Sequence, residues 1–196
     1  MLSAGAIASP QILMLSGVGH KDELKKHNID VVKHAPGVGK NLQDHLQIRT
    51  IYKVNKPLTL NDELRNPLRK MMMGIEYALF RTGPLTMAAS QVAIFTKSRD
   101  ALKRPDIQYH LQPLSADKPA DGTHKFSAFT ASVCQLRPTS TGTIELKSAD
   151  PAEYPAIHPN YLATELDRQT AIDSIKHVRK IINAPALKPL ISEEYE

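Results

Sequence analysis

The 196-residue chain has a single cysteine, Cys134, which excludes an internal disulfide and any metal site built from cysteines. A reducing compartment is therefore compatible with it. Aromatic residues make up only 5% of the sequence. Basic residues are scattered in pairs such as Lys25-Lys26, Arg69-Lys70 and Arg179-Lys180, so the net charge of +5 does not amount to a nucleic-acid-binding stripe. Those pairs read as solvated helix faces. Long apolar runs are lacking too. The opening MLSAGAIASPQILMLSGVG is interrupted by Ser9-Pro10 and closed by Ser16-Gly17, and it has no basic leader, so it fits neither a signal peptide nor a transmembrane segment.

Several chemical signatures are missing as well. There is no G-x-x-x-x-G-K-[ST], no G-x-S-x-G, no H-E-x-x-H and no complete G-x-G-x-x-G. The pairs Gly17-Val18-Gly19 and Gly37-Val38-Gly39 are isolated fragments that read as turns. The eight histidines never recur four residues apart, which leaves a metal site without support. No internal repeat or low-complexity tract is present.

What remains is the pattern of a globular mixed α/β or α+β protein with an antiparallel sheet, 41% hydrophobic and 23% charged. The opening stretch reads as a strand tip, a turn at Ala4-Gly5-Ala6 and a helix over 9–16. In it Ser9 is the cap, Pro10 the first helical residue and Gly17 the left-handed stop. A short helix over 22–27 leads to a strand over 29–33. Asn66-Pro67 opens a second long helix, with Leu68, Met71, Met72, Ile75, Ala78 and Leu79 on one face and Gly83 as its stop. Its three consecutive methionines read as core filling rather than a soft binding surface. A third helix spans 165–183, with Ala171, Ile172, Ile175, Val178 and Ile182 on its apolar face.

Elsewhere the period shortens to two, which predicts strands over 46–54, 90–98, 107–114, 126–136 and 142–147. In Asp106-Ile107-Gln108-Tyr109-His110-Leu111-Gln112 the alternation puts Ile107, Tyr109 and Leu111 on one face. Gln108, His110 and Gln112 fall on the other. That polar row lines a cavity or faces water, and water is the default for an antiparallel sheet. Residues 117–124 form a polar loop and 149–159 a proline-studded crossing segment.

Residues 5–19, GAIASPQILMLSGVG, resemble a signature of the glucose–methanol–choline (GMC) flavoprotein oxidoreductases. The blocks PGVGKNLQDHL (36–46), TGPLT (82–86), PDIQYH (105–110), LRPTS (136–140), LKSADP (146–151) and PNYL (159–162) are similar to further family blocks, in family order. Thr141 departs from the arginine frequent there. The bacterial choline-dehydrogenase-like branch is the most similar.

The resemblance implies an interior fragment. Residues 1–45 would be part of an FAD-binding α/β domain, 46–148 a substrate-binding domain with an antiparallel sheet and flanking helices, and 149–196 the start of a truncated C-terminal region. Its implied activity is oxidation of a small alcohol by hydride transfer to FAD, with a histidine outside this sequence removing the hydroxyl proton. The missing N- and C-terminal portions are the implied partners, and no catalytic residue falls within the chain.

Ser3, Ala4, Gly5 and Ala6 would pass close to the cofactor, as would Asn41, Asp44 and His45, for which local turn bonds are an equal alternative. Gln91, Tyr109, His110 and Gln112 are the candidate substrate residues. Gln91 stands where choline-handling relatives tend to carry a glutamate, which points to a neutral alcohol. The expected location is cytoplasmic, with peripheral contact to the inner membrane left open. A non-catalytic binding module derived from the substrate domain is the competing reading.

Overall fold

The computed structural model describes residues 1–118 and 122–195. By contact the chain divides into two compact units, Met1–His45 with Arg137–Arg168, and Leu46–Leu136 with Gln169–Glu196.

The first unit begins with α1 (Gly5–Leu15). This helix starts earlier than Ser9-Pro10 predicts, because Ala6, Ile7 and Ala8 are compatible with a helix and extend it backward. Ser9 does not cap it; its hydroxyl accepts from the Ala4 amide at 3.2 Å. Pro10 lies inside the helix. Gly17 provides the left-handed stop, with φ +81°. A two-residue strand β1 (Val18–Gly19) pairs in parallel with β2 (Lys33–His34), and α2 (Lys21–Lys26) lies between them. The strand expected over 29–33 is thus confined to its last residue and the next. The second sheet of this unit is antiparallel, with the order β3 (Lys40–Leu42), β8 (Gly142–Glu145), β9 (Ala156–His158). Two glycines permit it. A Cβ on Gly142 would collide with the His158 carbonyl, and one on Gly39, whose φ is +76°, with the Ile144 carbonyl. Met14, Leu24, Ile144 and Leu146 form the core.

The second unit is a five-stranded antiparallel sheet. It comprises β4 (Ile48–Val54), β5 (Val92–Thr96), β6 (Ile107–Gln112), β7 (Ala128–Gln135) and β10 (Ile191–Glu194), in the order β10-β4-β7-β6-β5. Each predicted strand exists, shorter at its ends. The alternation through 107–112 holds: Ile107 and Tyr109 are fully buried in a core with Tyr52, Ala131, Val133, Val178 and Ile182. The last two come from α5 (Glu165–Ile182).

The buried stripe of α5 differs from the predicted one. Ile172 is 48% exposed, while Asp167, Thr170 and Ser174 are buried above Val178 and Ile182. The stripe begins polar because Asp167 and Ser174 have hydrogen-bond partners there. Ser174, for example, donates to the Ala171 carbonyl at 2.7 Å.

The sequence pattern gives no hint of α3 (Leu60–Arg65) as a separate helix. Its first turn is held by Asp62, whose carboxylate accepts from the Thr59 amide at 3.1 Å and from its hydroxyl at 2.9 Å. It leads into α4 (Pro67–Phe80), where the Asn66 side chain caps the Leu68 and Arg69 amides at 3.0 and 3.2 Å, as predicted. The core-filling role expected of the methionines holds for Met73 alone. Met73 is buried, but Met71 and Met72 are more than half exposed, and Leu68, Ile75 and Leu79 are exposed with them. The helix packs through its Met73 side, so the apolar face read from periodicity points outward.

Candidate functional site

The five-stranded sheet has two faces of different chemistry. On the face covered by α5, Tyr109 is enclosed. Its hydroxyl donates to the Ser174 carbonyl at 3.1 Å and lies 2.9 Å from Nδ1 of His177, whose ring stacks on it. Burial holds the Tyr109 hydroxyl protonated well beyond its ordinary range. Burial, reinforced by nearby Lys180, lowers the His177 pKa. An apolar cavity of about 280 Å³ lies beside them, bordered by Val92, Ile94, Leu111 and Ile182, with Gln91 at its edge.

The opposite face is polar. Arg49, Ser132, His110 and Ala93 stand in register across β4, β7, β6 and β5. Directly opposed residues in antiparallel strands have their Cβ atoms roughly 5 Å apart, so Arg49, Ser132 and His110 form one transverse row. With Gln47, Ser90 and Gln112 they border a concavity of about 620 Å³. Gln112 donates to the Ser90 hydroxyl at 3.0 Å. The Arg49 guanidinium donates to the carbonyls of Ala116 at 2.9 Å and Asp117 at 3.4 Å. Cys134 follows Ser132 on this face and is 2% exposed; burial raises its thiol pKa against a hydrogen bond with Gln47.

The predicted substrate residues are therefore split. His110 and Gln112 share the concavity, Tyr109 is a core residue on the opposite face, and Gln91 is exposed at the sheet's edge. Sequence reasoning missed Gln47, Arg49, Ser90 and Ser132. For the first two the signal was available, since the alternation through 46–54 places them on one face.

In the first unit Ser3, Ala4, Gly5 and Ala6 are exposed at the start of α1. No side chain caps that helix end, and a Cβ on Gly5 would meet nothing within 4 Å. The uncapped first turn and open space suit close approach by a group rich in hydrogen-bond acceptors. Ala6 and Asn41 border a common cavity of about 390 Å³ with Lys40 and Gln43. Asp44 accepts from the Tyr161 hydroxyl, whose pKa that bond raises. His45 is exposed, at the end of the same segment. Among the described residues no cluster of His, Cys, Asp or Glu could hold a metal ion, and no helix is long and apolar enough to cross a membrane.

Sequence comparison shows the class to which this chain belongs: the GMC oxidoreductase family. Family models described as GMC oxidoreductase match residues 1–47 and 138–196. The chain is 40% identical over 196 residues to mitochondrial choline dehydrogenase of Mus musculus. It is 41% identical over 194 residues to the oxygen-dependent choline dehydrogenase of Acinetobacter baumannii (strain AYE). These alignments cover 100% and 99% of this chain, but 33% and 35% of those proteins, so the chain spans about a third of their length. The solved structure of formate oxidase superposes with a TM-score of 0.88 at 24% identity, covering 100% of this chain and 39% of that one. That likeness concerns the fold.

Proposed function

We propose that this chain supplies the substrate platform and one edge of the cofactor site of an FAD-dependent enzyme oxidising a primary alcohol. The observation that carries the reading is the polar concavity on the open face of the sheet, in a chain alignable throughout with choline dehydrogenases. Hydrogen-bonding groups of Ser90, His110, Gln112 and Ser132 line it and would orient a hydroxyl group. Ser3, Ala4, Gly5, Ala6, Asn41, Asp44 and His45 would border FAD, small side chains letting backbone amides approach it closely. FAD, when bound, supplies the hydride acceptor; the residues here bind and position. Gln91, which by the resemblance stands at a position of a glutamate in choline-handling relatives, has no charge to offer choline's cation.

No catalytic base is assigned within these residues, and the 196-residue chain alone is expected neither to oxidise alcohols nor to retain FAD. Purification followed by flavin absorbance and dye-linked alcohol assays checks this. Substantial bound flavin or turnover by the chain alone would overturn that division of labour.

A further inference from the structure

Resting on the reading of the concavity as the alcohol's seat, we propose that Arg49 makes it selective for hydroxy compounds bearing an anionic end, and closes it to quaternary ammonium alcohols. Among the described residues lining the concavity, Arg49 carries the only permanent charge and none bears a carboxylate. Its two hydrogen-bond acceptors are the carbonyls of Ala116 and Asp117. Carbonyl dipoles fix the plane of a guanidinium without cancelling its charge, whereas a carboxylate partner would do both. The Asp117 carboxylate is engaged elsewhere, 2.9 Å from Nε2 of His124. Leu114, Ala89 and Ala116 supply apolar wall, which strengthens any charge–charge interaction relative to bulk water.

The register then places the groups that a ligand would meet side by side. Arg49, Ser132 and His110 occupy successive strands, so the row spans roughly 10 Å. A carboxylate can meet the planar fork of Arg49 while a hydroxyl at the far end of a short chain reaches His110. 6-Hydroxyhexanoate carries both groups on a short chain; 1,6-hexanediol has a similar length without charge, and choline has the opposite charge. None of this depends on Gln91, which lies outside the lining of the concavity.

The test is titration of the full 196-residue chain with the three compounds, by calorimetry and amide NMR. We expect 6-hydroxyhexanoate to bind at least about tenfold tighter than choline, to weaken with added salt, and to shift the Ser132 and His110 amides. Arg49→Gln should bring 6-hydroxyhexanoate to within about threefold of the diol, while Arg49→Lys retains the preference over choline. Choline binding as tightly as 6-hydroxyhexanoate, with the diol still bound at the concavity, overturns the selectivity and leaves the alcohol-site reading standing. Failure of all three compounds to bind overturns both. A preference unchanged in Arg49→Gln removes the role of Arg49. Should that variant not fold, the salt dependence and the choline comparison on the unaltered chain still decide.

Discussion

Helices α4 and α5 are both amphipathic by sequence, yet they end in opposite circumstances. In α5, Val178 and Ile182 are buried against Tyr52, Ile107, Tyr109 and Val133. In α4, Leu68, Met72 and Leu79 are each more than half exposed, and only Met73 is buried. Periodicity establishes that a helix has an apolar face; it carries no information about what covers that face. The two helices also differ in what begins them. α4 is capped locally by Asn66, whereas Asp167 in the first turn of α5 is tied to a segment 27–28 residues earlier.

The sharpest way to break this contrast is a charge on each helix. Val178→Asp places an unpaired carboxylate in a site 1% exposed and should cost more than about 3 kcal/mol, read as lost cooperativity in urea unfolding.

Next in size is Asp167. Burial pushes its carboxyl pKa up, but bonds from Ser140 and Thr139, both hydroxyl and amide, outweigh this and hold it well below the usual range. Asp167→Ala leaves the Thr139 and Ser140 amides without their acceptor and should cost about 3 kcal/mol, with faster exchange of those two amides. Because the folded pKa is the lower one, the stabilisation is fully present above about pH 4 and disappears as pH falls through the folded value. The variant should therefore lose that acid-sensitive part of the stability curve.

The smallest effect is expected at α4. Ile75→Asp on the exposed face should change stability by less than about 0.5 kcal/mol. A loss comparable with that of Val178→Asp would show that the two helices are equally covered, and the comparison would fail.

How much of this was legible beforehand depends on where each element finds its partners. The Asn66-Pro67 start, the Gly17 stop and the alternation through Ile107–Gln112 are local properties, and all three are observed. The expectations that failed concern distant partners. Strand β3 exists because Lys40 pairs with Thr143 and Leu42 with Gly142, about a hundred residues away, and three residues carry no period of their own. Strand β10 is likewise defined by its pairing with β4. The polar row of the candidate site was half visible: His110 and Gln112 follow from one strand's alternation, but Ser132 and Arg49 join them only once the register of three strands is known. For Gln91, whose proposed role rests on the family resemblance, the structure gives a position at the sheet edge.

Gly39 and Gly142 set a narrower kind of constraint. At both positions the neighbouring main chain already occupies the volume that any larger residue would need, so tolerance there is decided by a single hydrogen atom rather than by polarity or charge. Random substitution across this chain should leave many surface positions free to vary while these two stay fixed, a signature visible in a mutational library with no assay beyond soluble yield.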